Sequence, residues 1–294
     1  FVRELVSNAC DAIQKVKILR DQGKLTESAD EFRVDIKIDK EAKTLTIRDN
    51  GIGMTEADVE QNLGMIASSG TKNFLKALQE QQGANAPEMI GQFGVGFYAA
   101  FMVAAEVTVV SRHRSKEAAA AVRWHSAGDG SYTLAPAERS TPGTTITLKL
   151  RDDAVEYLDE WRLKALVKQY SDFIAYPIRL GNEGKEPAAD AEPLNTMKAL
   201  WKRPKSEVKE EEYHAFYKHL SRDQTAPLST ITIAAEGVVE FRALLFIPAE
   251  PPFELLYDPS RKHGLHLYVR NVFIGSEFDA LLPEYLRFVR GVVE

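Results

Sequence analysis

The sequence predicts a mixed α+β or α/β chain in two domains, and three observations predict it. Residues 1–20 repeat apolar side chains at helical spacing. The segments "FRVDIKID" and "KTLTIRD" alternate apolar and polar residues at strand spacing. Far downstream, "RLGNEGKEPAADAEPLN" mixes Gly, Pro, Asp, Glu and Ala with no period, as a linker does. A chain of 294 residues is long enough for two cores, so the expected division is 1–180, a linker at 181–193, and 194–294.

Taken in order, Phe1, Leu5, Val6, Ala9, Ala12, Ile13, Val16 and Leu19 form the core face of an opening helix. Two strands follow, joined by a polar Lys-Glu-Ala-Lys turn. After Gly53 the pattern becomes helical again, with Thr55 as N-cap and Asp58 three residues on, a capping-box arrangement. The glycine-punctuated stretch "GMIASSGTKNFLKALQEQQGANAPEMIGQFGVG" is expected to be mobile, with one short helix inside it. "FYAAFMVA" reads as a buried helix, and "EVTVVSRH", "AAVRWHSA", "SYTLAPAE" and "TTITLKLR" as successive strands. A helix is expected from Asp159 to Tyr176, stopped by Pro177. Beyond the linker come the helical "EEEYHAFYKHL", the strands "VVEFRALLFIP" and "LHLYVRNVFIG", and a helix in "PEYLRFVRGVVE" running into a strand start. There is no repeat at solenoid or propeller periods.

Composition narrows the function classes. Lys and Arg number 37 against 43 Asp and Glu, a net charge of −6, which gives no charge-driven hold on nucleic acid. The longest apolar run, Phe97 to Ala105, falls far short of the ~20 residues a membrane span needs. Cys10 is the only cysteine, so an intrachain disulfide is impossible, which fits a reducing compartment and makes the cytoplasm the expected location. The chain starts with apolar residues already in helical phase and stops at an apolar strand start. It is therefore expected to be an internal fragment.

Three features could carry chemistry. Glu4, Asn8 and Asp11 share one face of the opening helix, which taken alone is a solvated face. In "TIRDNGIGM", Asp-Asn-Gly after a strand is a common hairpin turn. Here, however, Ile52-Gly53-Met54 leads into a capped helix, so the glycines sit in a strand-to-helix loop where backbone can approach a ligand. Asp49 can then accept hydrogen bonds from an amino group such as that of adenine. In "GQFGVGFYAAF", Gly91, Gly94 and Gly96 precede a helix, either as a tight turn or as a loop whose amides face phosphates. Neither a Rossmann fingerprint nor a Walker loop is present. The six histidines make no zinc motif, His263 and His266 read as ordinary surface or strand residues, and Cys10 reads as packed.

In sequence order these features resemble the nucleotide-binding fold shared by type II topoisomerases, MutL proteins, sensor histidine kinases and heat shock protein 90 chaperones. "FVRELVSNACDA", "DNGIGMTEADV", "NLGMIASSGTKNF" and "MIGQFGVGFYAAF" are similar to heat shock protein 90 signatures nearly residue for residue. "ALWKRP", "EEYHAFYKHL", "EFRALLFIP", "LHLYVRNVFI" and "PEYLRFVRGVV" resemble that family's middle domain, and the short linker resembles its bacterial type. The resemblance implies a two-layer α/β sandwich of the gyrase–chaperone–histidine kinase–MutL ATPase superfamily (Bergerat fold), followed by a partial α/β middle domain. It implies an ATP-dependent chaperone with ATP and Mg²⁺ as cofactors, unfolded clients as partners and a homodimeric parent, and neither nucleic acid nor membrane as a partner.

Carried over by position, Glu4 becomes the general base and Asn8 the Mg²⁺ ligand, with Asp11 on the same cofactor-binding face. Asp49 would recognise adenine, supported by Gly53 and Thr144, while Met54 and Phe97 would line the pocket and Asn62 would contact the sugar-phosphate side. Gly70 and Thr71 would belong to the nucleotide site, and Gly91, Gln92, Phe93, Gly94, Val95, Gly96 and Phe97 would wrap the phosphates. Residues from about Gly64 to Gly91 would form a lid. The family's leading strand and helix, its catalytic-loop arginine and its dimerisation domain are expected to lie outside this chain, so it is expected to bind nucleotide and hydrolyse it poorly. A DNA-acting ATPase of the same superfamily is the rival, against which the acidic charge and second-half motifs argue. A binding module without turnover is another. Trp201 and Phe253 are candidate client contacts, with a core or interface role as the alternative.

Overall fold

A computed structural model describes residues 1–25, 31–64, 71–72, 74, 76, 89–90, 95–181, 183–188, 190–221, 223–237, 240–251, 264–276, 278 and 281–294. The chain divides into two compact units, Phe1–Met197 and Lys198–Glu294.

The first unit is a two-layer α/β sandwich. Its sheet comprises β1 (Val34–Asp39), β2 (Thr44–Asp49), β3 (Ala104–Arg112), β4 (Ala121–Ser126), β5 (Thr133–Ala137), β6 (Gly143–Leu150) and β7 (Ile178–Gly181), in the order β5-β4-β3-β6-β2-β1-β7. Neighbours are antiparallel except β1 and β7, which run parallel with Val34 opposite Ile178. The helical layer includes α1 (Val2–Asp21), which packs on β2 and on α3 (Glu160–Ser171). Leu5, Ile13 and Leu163 from the helices meet Ile36, Leu45 and Leu148 from the strands in a core that excludes water. α2 (Glu56–Leu63) is capped as its sequence predicts. Thr55 Oγ1 accepts from the Asp58 amide at 3.3 Å, and the Asp58 carboxylate accepts from the Thr55 amide at 2.9 Å.

Three elements differ from expectation. Residues Gly96–Met102 form a 3₁₀ helix instead of an α-helix, with only Phe97 and Ala100 buried. α3 stops at Ser171, five residues before Tyr176, where Asp172 turns to other partners. Its carboxylate accepts from the Thr196 amide at 2.9 Å and its carbonyl from the Met197 amide at 2.9 Å. The linker-like stretch is also tied down: the Gly184 amide donates to the Ile38 carbonyl, the Leu194 amide to that of Ile178, and the buried Asn195 amide bridges Ile174, Tyr176 and Ile178. The first unit therefore continues to Met197.

The second unit packs α4 (Glu210–Ser221) on a mixed sheet of β8 (Ser229–Ala235), β9 (Phe241–Ile247), β10 (Gly264–Val269), β11 (Val272–Gly275) and β12 (Arg290–Val293), ordered β11-β10-β12-β9-β8. "LHLYVRNVFIG" is two strands, because Arg270 and Asn271 take φ of 52° and 64° and turn the chain back. The terminal helix is a single 3₁₀ turn, Glu284–Leu286. Trp201 is 6% exposed and packs at a tilt against Phe216 and Tyr268, which makes it core and not a client contact. Phe253 and His263 lie outside the described residues. Among the described residues, no helix is long and apolar enough to cross a membrane.

Candidate functional site

A cavity of about 240 Å³ opens in the first unit between α1, the end of β2, α2 and the start of the 3₁₀ helix. Its mixed polar and apolar lining suits an organic ligand with a few polar groups.

Asp49 closes β2 and is 6% exposed in the cavity wall. Its Oδ1 accepts from the Gly51 amide at 2.9 Å and the Thr144 amide at 3.3 Å, which fixes the plane of the carboxyl group. Burial raises its pKa from 3.8 to about 6, opposed by those two amides and by the charges of Arg139 and Arg48. Gly53 follows with φ of +69°, and a β-carbon there would stand 1.9 Å from the Arg112 carbonyl oxygen, so this turn admits no side chain. The Met54 amide donates to Ser111 Oγ at 2.9 Å, and Ser111 Oγ lies 2.9 Å from Thr144 Oγ1. One hydrogen-bonded chain thus ties Met54, Ser111, Thr144 and Asp49 across three strands.

Opposite, the polar face of α1 looks into the cavity and not into bulk solvent. Glu4 and Asn8 both line it. Glu4 Oε1 accepts from Arg3 Nε at 3.0 Å. Asp11, expected on the same face as a ligand contact, is outside the lining. It is 3% exposed, and its Oδ1 accepts from the Ile90 amide at 2.7 Å, so it anchors the chain just before Gly91. The α1 helix is itself fixed from below, where the Tyr176 hydroxyl donates to Gln14 Oε1 at 2.8 Å.

Between these walls, Val95, Gly96 and Phe97 line the cavity together with Asn62 and Thr71. A β-carbon on Gly96 would lie 2.6 Å from Glu4 Oε2, so glycine leaves the space that the carboxylate occupies. Phe97 is 7% exposed and packs edge-on to Trp124 at 5.5 Å. Among the described residues, the Oδ1 atom of Asn62 is buried without a hydrogen-bond partner. Gly70, Gly91, Gln92, Phe93 and Gly94 lie outside the described residues, as does most of the expected lid from Gly64 to Gly91.

One cavity group, Lys15, and one group buried behind the cavity wall, Ser111, escaped the sequence reading. Lys15, two further turns along α1 from Asn8, lines the cavity, and burial lowers its pKa against the raising influence of Asp11 and Asp58. The helical period that placed Asn8 one turn from Glu4 continues to Lys15 and could have found it. Ser111 comes from β3, and only strand pairing brings it to Thr144. Among the described residues, no group of three or more His, Cys, Asp or Glu could hold a metal ion. A Mg²⁺ here would fit only as an ion that keeps its waters and takes oxygen from a ligand plus one side chain, for which the Asn8 carboxamide is available. Cys10 is buried in the core behind this face.

Two family models match this chain. The "Histidine kinase-, DNA gyrase B-, and HSP90-like ATPase" model matches residues 1–147, and the "Hsp90 protein" model matches residues 182–294. The chain therefore belongs to the histidine kinase-, DNA gyrase B- and HSP90-like ATPases, on their heat shock protein 90 side. Over its whole length it is similar to proteins named Chaperone protein HtpG. It is 51% identical to that of Geobacter sulfurreducens and 46% identical to those of Salinispora arenicola and Streptomyces coelicolor, with 100% of this chain and 48% of each relative covered. The chain spans about half the length of the curated relatives it matches.

Proposed function

We propose that the first unit binds ATP with Mg²⁺ and that the parent protein is an ATP-hydrolysing chaperone whose clients are unfolded or partly folded proteins and which works as a homodimer. The observation that carries this reading is the buried Asp49 carboxyl group, held through Oδ1 by two backbone amides in the wall of a cavity with mixed polar and apolar lining. Its Oδ2 is the proposed acceptor for the adenine amino group, a charge-assisted hydrogen bond of the strong kind. Thr144 and Gly53 support that contact, Met54 and Phe97 flank the base, and Asn62 takes the sugar-phosphate side.

The phosphates are assigned to the loop from Gly91 to Phe97, including Gln92, Phe93, Gly94, Val95 and Gly96, together with Gly70 and Thr71. Asn8 is the proposed Mg²⁺ ligand. The ion, when bound, neutralises phosphate charge and orients the terminal phosphoryl group. Glu4 is the proposed general base. It accepts a proton from the water whose oxygen bonds to the γ-phosphorus, while the bond from that phosphorus to the β-bridging oxygen breaks and ADP leaves. Glu4 is suited to this by its position in the cavity and by the space that Gly96 leaves it. Asp11 has a positioning role instead, holding Ile90 behind the phosphate loop. A lid between about Gly64 and Gly91 would shield the reaction from bulk water.

Single-turnover hydrolysis of ATP with Mg²⁺, with Glu4→Ala alongside, tests the reading. The expected result is slow phosphate release by the unsubstituted chain and a further loss of roughly a hundredfold in Glu4→Ala, with nucleotide binding retained. Equal release by both proteins would remove Glu4 from the chemistry.

A further inference from the structure

Arg139 belongs to none of the motifs above. It sits in the connection between β5 and β6, in "AERSTPGTT", which reads as a polar loop with nothing to recommend it. In the structure its guanidinium is partly buried behind Asp49. Nη2 donates to the main-chain carbonyl of Asp49 at 3.1 Å, Nε to the Thr141 carbonyl at 2.9 Å, and Nη1 to Thr145 Oγ1. All three donor positions are thus committed to the corner where β2 ends and β6 begins. Thr144, whose amide holds the Asp49 carboxyl group, lies between two of the residues that Arg139 grips.

From this geometry we infer that Arg139 is a positioning residue for adenine recognition: its guanidinium fixes the Asp49 corner from behind and supplies the positive charge that keeps the Asp49 carboxylate ionised to accept the amino group. The inference rests on the reading of Asp49 as the adenine acceptor. The electrostatics agree with the contact. Burial lowers the Arg139 pKa from 12.5 to about 10, which still leaves it cationic at neutral pH, and it is the first-ranked side-chain charge drawing the Asp49 pKa down. The side-chain charges that draw the Asp49 pKa down are those of Arg139 from the β5–β6 connection and Arg48 from its own strand; Cys10 interacts with Asp49 from α1, and Glu4 and Lys15 of α1 line the same cavity. Burial pushes the Cys10 thiol up, so it stays neutral and contributes no charge. Arg48 donates to Thr141 Oγ1 at 2.9 Å and pairs with Glu186 at 3.7 Å, and its charge draws the Asp49 pKa down less than that of Arg139. Arg112 and Glu186 act on Arg139 with opposite signs. Arg139 is therefore the cation whose removal Asp49 would feel most.

The test is the preference of the full chain for ADP over inosine diphosphate, measured by calorimetric titration with Mg²⁺ between pH 5 and 8. Inosine diphosphate lacks the amino group, and the phosphate titration common to both ligands cancels in the ratio of their affinities. The parent is expected to gain preference for ADP as pH rises through about 6, where Asp49 ionises. In Arg139→Gln, which keeps a hydrogen-bond donor and loses the charge, the midpoint of that gain should move up by about one pH unit, lowering the preference at pH 6.5 several-fold. Arg139→Lys should restore the parental midpoint. A merely structural role would weaken both ligands alike and leave the midpoint in place. An unchanged midpoint in Arg139→Gln overturns the inference, and so does an equal shift in Gln and Lys. A parent chain that binds both ligands with no preference at any pH refutes the reading of Asp49 itself.

Discussion

Burial raises the Asp49 pKa to about 6, so the folded chain holds that proton more tightly than the unfolded chain, whose reference value is 3.8. The stabilising contribution of the protonated group is full below pH 4 and is lost as pH rises through about 6. At pH 7 the ionised carboxylate therefore opposes folding, by at most roughly 3 kcal/mol. Asp49→Asn keeps the Oδ1 acceptor for Gly51 and Thr144 and removes the charge. It should melt no lower than the parent at pH 7, with a flatter dependence of melting temperature on pH between 4 and 6, while losing ATP affinity. A melting temperature several degrees below the parent at pH 7 would contradict this. Gly96→Ala separates the same two quantities at the other wall. Its new β-carbon would stand 2.6 Å from the movable Glu4 Oε2 and 3.3 Å from Glu4 Cβ, so the carboxylate must swing away and stability should fall by about 1 kcal/mol. Single-turnover hydrolysis should nevertheless fall roughly tenfold or more, because the displaced group is the proposed base. Asp49 was legible as a candidate acceptor by its place at a strand's end, whereas the helical period put Glu4 and Asn8 on one face that by itself reads as solvated, and only the family resemblance turned that face toward a ligand. Ser111 and Arg139 were not legible, because their roles arise from contacts between segments tens of residues apart.

Local signals predicted elements where they were strong. The Thr55–Asp58 capping box is present, and Thr55→Ala should cost about 1 kcal/mol. Because α2 carries Asn62 into the cavity, the same change should weaken nucleotide binding modestly, which denaturant melts and titration would show together. Gly53→Ala should cost more, at least roughly 2 kcal/mol, since both the positive φ and the Arg112 carbonyl oppose a side chain. Elements were missed where the deciding signal was weak or nonlocal. The Arg270-Asn271 turn uses positive φ without a glycine, so it does not show as a hairpin in the sequence. β8, "STITIAA", has most of its residues exposed and lacks the apolar run that marks a buried strand. Its pairing with β9 is what makes it a strand. The apparent linker failed for a related reason: its composition is that of a loop, and side chains such as Asn195 fasten it to the sheet.

For the whole molecule, a sheet-and-helix unit carrying the cavity and a second unit with its own aromatic core account for the two-domain reading of length and composition. Backbone bonds from the second half of the chain, at Leu194 and Met197, complete the first unit, so a cut at the apparent linker would remove part of it. Nucleotide should therefore slow amide hydrogen exchange in α1, α2 and the Asp49 corner, and leave the β9–β12 core of the second unit unchanged. Protection confined to the second unit would move the site elsewhere. The most direct measurement is calorimetric titration of the chain with ATP and Mg²⁺, paired with Asp49→Asn. Saturable binding by the parent that is lost in the variant is the predicted result. No binding by the parent, or equal binding by both proteins, would contradict the assignment of this cavity to adenine nucleotide.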